Sequence, residues 1–117
     1  MNSEYILRIN TDKERYNIIT SLLALQPTSI ESYWECSINE NSILFTDSIN
    51  YFLDLIEKNI EKLNQNKIMS ENISIWCLYE YDEQCNMEFH PNELKRLGDA
   101  GITLCISCWR RGDNIEL

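Results

Sequence analysis

The chain has 117 residues, 44% hydrophobic and 25% charged, with a formal net charge of −9 from 19 acidic and 10 basic side chains. That length fits a single domain over residues 1–117 with no room for a second core, and the composition is that of a folded globular chain rather than a disordered one. The acidity disfavours nucleic-acid backbones and anionic membrane surfaces and would steer in a basic protein partner.

Glycine is confined to Gly98, Gly101 and Gly112 and proline to Pro27 and Pro91, which excludes glycine-rich and low-complexity architectures. No apolar run approaches the about 20 residues of a membrane-spanning helix. Met1-Asn2-Ser3-Glu4 lacks a basic and then apolar leader, so the expected compartment is the cytoplasm. Cys36, Cys77, Cys85, Cys105 and Cys108 are odd in number and mostly sit in apolar, strand-patterned segments. They are expected as reduced, packed thiols rather than a disulfide framework.

Tyr5, Leu7 and Ile9 alternate along a first strand. Asn10-Thr11-Asp12 offers N-cap chemistry for a helix carrying Tyr16, Ile19, Leu22 and Leu23 on one face, ended by Pro27. Tyr33 to Ile38 alternates again, with Trp34, Cys36 and Ile38 opposite Tyr33, Glu35 and Ser37. Thr46 is the expected N-cap of a longer helix, with Asp47 in its first turn. Its apolar stripe is Ile49, Phe52, Leu53, Ile56, Ile60 and Leu63, and Asp54–Lys58 is a favourable pair on the far side. Ile73 to Tyr81 has large residues on both faces, which suits a central strand. Met87-Glu88-Phe89 reads as a short returning strand after a polar turn. Pro91 fits the first position of a third helix, with Leu94, Leu97 and Ala100 as its stripe and Gly101 just past its end. Ile102 to Trp109 is the last strand, and 110–117 is a charged tail expected to fray. The order is β-α-β-α-β-β-α-β: an α+β two-layer sandwich of about five largely antiparallel strands with its helices on one face.

Leu22-Leu23-Ala24-Leu25-Gln26-Pro27-Thr28, Tyr33-Trp34-Glu35-Cys36-Ser37, Phe89-His90-Pro91-Asn92-Glu93-Leu94-Lys95-Arg96-Leu97-Gly98 and Ile102-Thr103-Leu104-Cys105-Ile106-Ser107 together resemble a bacterial family known as "domain of unknown function 4279". The resemblance runs over almost the whole chain and rests on structural positions. It implies a small stand-alone α+β protein, of a kind found in the company of toxin and immunity genes, and carries over no catalytic residue.

The residues themselves offer few chemical constellations. Cys105-Ile106-Ser107-Cys108 has C-x-x-C spacing, but on a strand its two cysteines point to opposite faces, so no metal or redox pair is expected. His90 is the only histidine and sits at a helix start, where a capping or surface role suits it better than catalysis. No phosphate-binding glycine loop or nucleophile elbow is present, and no cofactor is expected. Glu80, Asp82, Glu83 and Glu88 cluster in sequence about one turn, either as solvated charges or as a negative edge for a cationic protein. If helices cover only one side of the sheet, Trp76, with Tyr33 and Trp109, falls on the open side.

The expectation is a non-enzymatic protein-binding domain, most concretely a cytosolic immunity protein that neutralises a toxin by occluding it. Glu80, Asp82, Glu83 and Glu88 would supply the electrostatics, and Trp76 and Trp109 the apolar anchors, against a basic toxin domain. Two alternatives stand beside it: a homo-oligomeric structural or regulatory domain, with a homodimer as one form, and a small enzyme built around His90 and nearby carboxylates.

Overall fold

In the computed structural model, residues 3–39 and 47–112 are described. They form β1 (Ser3–Ile9), α1 (Tyr16–Leu23), β2 (Trp34–Asn39), α2 (Ser48–Gln65), β3 (Ile73–Tyr81), α3 (Pro91–Ala100) and β4 (Thr103–Arg110), with short 3-10 turns before α1 and β3. The architecture is α+β, with a four-stranded sheet in the order β2-β1-β3-β4. β1 pairs antiparallel with both β2 and β3, whereas β3 and β4 are parallel.

The expected sheet is changed in two ways. Two of its three pairings are antiparallel, but the sheet is mixed because β3 and β4 are parallel: α3 connects these neighbours, and a strand–helix–strand unit returns the chain in the same direction. A fifth strand at Met87–Phe89 does not form: both edges of β3, the strand it was expected to pair back onto, are already taken by β1 and β4. Phe89 packs against the core instead.

Strand alternation sorts the sheet into two unlike faces. Leu7, Ile9, Trp34, Cys36, Ile38, Ile73, Ile75 and Cys77 all fall on one side and are buried. Against them pack Tyr16, Ile19 and Leu23 of α1, Ile49, Phe52, Leu53, Ile56 and Leu63 of α2, and Leu97 of α3. Each fully buried aliphatic or aromatic side chain of this kind contributes roughly 1.5–3 kcal/mol of transfer free energy. Trp34 is the largest of them and is wholly buried. Its Nε1 donates to Thr20 Oγ1 at 3.1 Å, and Thr20 in turn donates to the carbonyl of Tyr16 at 3.1 Å. The indole N–H is thus satisfied inside the core, as a buried polar group must be.

Helix boundaries follow local chemistry with some changes. Asp12 precedes the first helical turn, but its carboxylate pairs with Arg15 at 2.7 Å instead of capping backbone N–H groups. Thr46 lies outside the described residues; Asp47 takes the cap position of α2 and accepts the Asn50 side-chain amide at 2.8 and 3.0 Å. Asp54 pairs with Arg96 of α3 at 2.7 Å, not with Lys58. Arg96 also donates to Asn50 Oδ1 at 2.7 Å and to both carboxylate oxygens of Glu57 at 3.1 and 3.0 Å, tying α3 to one face of α2. Its guanidinium is held protonated first by Glu57 and then by Asp54. Of the α3 stripe only Leu97 is buried; Leu94 is 50% exposed, because α3 overhangs the β4 side of the sheet with α2 as its only helical neighbour in close contact.

Two helices end on left-handed residues, with opposite suitability. Gly101 after α3 has φ +69°, where a Cβ would approach Ser70 Cβ to 3.3 Å. Ala24 after α1 has φ +50°, and L-residues in that region carry roughly 1–2 kcal/mol of strain. Ala24→Gly is therefore expected to stabilise the fold by about 0.5–1 kcal/mol after the added chain entropy, and Gly101→Ala to destabilise it by about 1 kcal/mol or more. Urea midpoints moving in opposite directions for the two variants check this.

Candidate functional site

The face of the sheet turned away from the helices carries Glu4, Ile6 and Arg8 from β1, Glu35 and Ser37 from β2, Ser74, Trp76, Leu78 and Glu80 from β3, and Cys105, Ser107 and Trp109 from β4. All are partly exposed. The sheet ladder sets the rows: Ser37, Ile6, Trp76 and Cys105 lie side by side, and Glu80 stands beside Trp109.

Arg8 organises one half of this face. Its guanidinium lies 4.5 Å from the ring centroid of Tyr33 and 4.3 Å from that of Trp76, flanked by the two aromatics. Its Nε donates to Glu35 Oε2 at 2.7 Å, from the strand alongside. A planar cation suits this place, because it stacks on ring faces and still directs N–H groups in its own plane to a carboxylate. Trp76 Nε1 donates to Ser74 Oγ at 3.1 Å, which pins the indole along the strand. Glu4 accepts the Ser37 hydroxyl across the same ladder. The surface is thus amphipathic and pre-organised: apolar ring area lies open while Arg8 is paired with Glu35 and Glu4 is held by Ser37.

The sequence-expected site residues are split by the fold. Trp76 and Trp109 both lie on the open face, as does Glu80, with Tyr33 flanking Arg8. Glu80 and Asp82 face Arg111, each at 3.7 Å, and Asp82 also accepts Arg110 Nε on its backbone carbonyl at 3.3 Å. Glu83 is exposed in the loop that follows. Glu88 lies elsewhere, lining a pocket on the helix side. The turn joining a third and a fourth strand, about which all four acids were expected, does not exist. A loop over 82–90 leads to α3 in its place and carries Glu88 away from Glu80.

That pocket, of about 360 Å³, lies where α2 and α3 begin, and is lined by Tyr5, Asp47, Ile49, Glu88, Phe89, His90 and Glu93. His90 holds the cap position of α3 through its carbonyl, which accepts the Leu94 N–H at 3.1 Å; its side chain makes no cap hydrogen bond. Among the described residues no group of three or more histidine, cysteine, aspartate or glutamate side chains is arranged to hold a metal ion.

The cysteines divide as strand geometry requires. None forms a disulfide. Cys36 and Cys77 are core residues, and burial pushes the Cys36 thiol pKa up. Cys105 and Cys108 stand on opposite faces of β4. Cys108 is exposed rather than packed, since an edge strand leaves part of its helix side uncovered. The Cys85 thiol is raised by desolvation and by its hydrogen bond to Cys108.

Arg8 and Glu35 are the residues that a reading for acids and aromatics passes over. Alternation in Tyr5–Ile9 already sets Arg8 opposite the core residues Leu7 and Ile9, so its face was available from the sequence. Its stacking between Tyr33 and Trp76 was not, because those residues come from two other segments of the chain.

Comparison with protein-family models, curated proteins and solved structures gives no match to this chain. The open face therefore has to be read from its own geometry.

Arg8→Ala leaves Glu35, whose side chain is 17% exposed, without its partner and uncovers two rings. A loss of about 1–2 kcal/mol in unfolding free energy is expected, with a smaller loss for Arg8→Lys, which keeps the charge but not the planar stack. Urea titrations followed by tryptophan fluorescence check both the order and the size.

Proposed function

We propose that this chain is a non-enzymatic, cytoplasmic protein-binding domain whose open sheet face docks a partner, most concretely an immunity protein that neutralises a basic toxin domain by occluding it. The observation that carries the reading is the open face itself: Trp76, Trp109, Leu78 and Ile6 remain partly exposed on a rigid sheet rather than covered by a second layer. Aromatic side chains on a pre-organised surface bring large contact area at low ordering cost, which is the usual composition of the centre of a protein interface. Glu80, Asp82 and Glu83 border this face, and the net charge of −9 would steer a cationic partner toward it. Among the described residues no helix is long and apolar enough to cross a membrane. The resemblance to the bacterial family of unknown function belongs to the same proposal and supplies its toxin–immunity setting.

A second reading keeps one observation in its favour. Asp47, Glu88, His90 and Glu93 converge on a single pocket, the kind of grouping a small enzyme would use for proton transfer. It predicts that His90→Ala abolishes the biological effect with the fold intact. A fully retained effect removes this reading.

Docking is tested by affinity capture of the tagged chain from its native host, with the wild type and a Trp76→Ala/Trp109→Ala double variant run in parallel. A stoichiometric basic partner is expected with the wild type and lost with the double variant, while circular dichroism remains that of the folded chain. Against that partner, Glu80→Lys/Asp82→Lys/Glu83→Lys, with or without Glu88→Lys, is expected to lower the association rate by about tenfold at low salt and by less at high salt. Capture of nothing by the wild type, or binding unaffected by loss of both tryptophans, overturns the proposal.

A further inference from the structure

The two edges of the sheet are treated differently. On β2 the outer edge is guarded. Thr28 and Ser29 donate their backbone N–H groups to the Glu35 carbonyl, Glu35 donates back to Ser29, and the Ser37 N–H donates to Thr28 Oγ1. This strap, introduced by Pro27, blocks further strand pairing there.

β4 has no such guard among the described residues. It runs for eight residues, Thr103–Arg110, and positions 103–109 hold no charge, proline or glycine. The Arg111 N–H donates to the Tyr81 carbonyl at 2.6 Å, so backbone groups at 109, 107, 105 and 103 also turn toward β3. Those of Leu104, Ile106, Cys108 and Arg110 turn outward by alternation. An uncharged edge of this length is a template for another strand.

The flank beside this edge is apolar as well. Leu94 and Ile106 are two of the large hydrophobic side chains left most exposed, at 50% and 47%. The short link through Gly101 and Ile102 makes α3 and β4 run in opposite directions. Leu94 lies eight residues before Ile102, about 12 Å along a helix, and Ile106 lies four residues after it, about 13 Å along a strand. The two side chains are therefore level with one another beside the same edge.

We propose that β4 pairs antiparallel with β4 of a second copy of this chain, about a two-fold axis at Ile106, to form a continuous sheet of twice four strands. In that register Ile106 meets Ile106 of the second copy and Leu104 meets its Cys108, with each such pair exchanging two backbone hydrogen bonds. No like charges are brought face to face on the strands. Arg110 falls opposite Ile102 of the second copy, beside the C-terminal end of its α3. That end carries the negative pole of the helix dipole, with no basic residue in the last turn, while Asp99 is paired with Lys95 of its own helix. This charge complementarity, together with the self-complementary apolar row, selects a second copy over an unrelated strand. The pairing stands independently of the docking proposal, since it uses the edge and the helix-side flank and leaves Trp76 and Trp109 on open faces that become continuous.

Analytical ultracentrifugation of the full chain over a wide concentration range tests the assembly, with hydrogen exchange to locate it. A species of twice the monomer mass of 13.9 kDa is expected, with slowed amide exchange at Leu104, Ile106 and Cys108. Ile106→Lys places a charge on the axis and is expected to raise the dimer dissociation constant about tenfold or more. Should that variant fail to fold, the exposed Arg110 decides. Arg110→Glu, which sets a negative charge against the negative end of α3, is expected to weaken the dimer, and Arg110→Lys to leave it largely intact. A wild type that stays monomeric at every concentration, or a dimer indifferent to Ile106→Lys and to Arg110→Glu, overturns the proposal.

Discussion

Leu7 and Ile9 on β1 are wholly buried, and β1 is hydrogen-bonded along its length to a strand on either side. Everything else in the structure is arranged around keeping the face that these residues define out of water. α1 and α2 lie across it, α3 closes the β4 side, and Trp34 joins sheet to helix through Thr20. Because hydrophobic burial scales with area and has no direction of its own, three short helices suffice to cover one face of a four-stranded sheet. The same material cannot also cover the second face, and among the described residues that face is left open.

Its residues show how such a surface is ordered without a covering layer. The cation of Arg8 lies between two rings and against one carboxylate, so a strand residue that could have been a lone charge becomes part of an ordered aromatic platform. Glu80 and Asp82 are similarly balanced by Arg111 at the end of β3. What remains open is ring area and short polar groups. An assembly through β4 would lengthen this platform without altering its chemistry, since strand pairing at an edge uses main-chain groups that neither face requires.

Much of the layout was legible from residue order. The alternation of Trp34, Cys36 and Ile38, the helical spacing of Ile49 to Leu63, Pro91 at a helix start and Gly101 at its end all reappear where local rules put them. So does the placing of Trp76, Tyr33 and Trp109 on an uncovered face. The reading failed where the outcome depends on which strands become neighbours. Met87–Phe89 has a strand-like pattern but finds both sides of β3 occupied, and the acids around it parted once that strand was lost. Leu94 has the right helical spacing for a core residue, yet the helix that bears it overhangs an edge.

The sequence by itself determined the α+β class, the approximate positions of the four strands and three helices that form, and which side of each strand is apolar. These are local properties, set by side-chain period, capping and backbone preference over a few residues. Only the tertiary structure decided the mixed sheet order, the stacking of Arg8 between Tyr33 and Trp76, the tie from Arg96 to α2, and the contrast between a strapped edge and a bare one. Each of these joins residues far apart in the chain, and their pairing is chosen by the packing of the whole core rather than by any pattern within one segment.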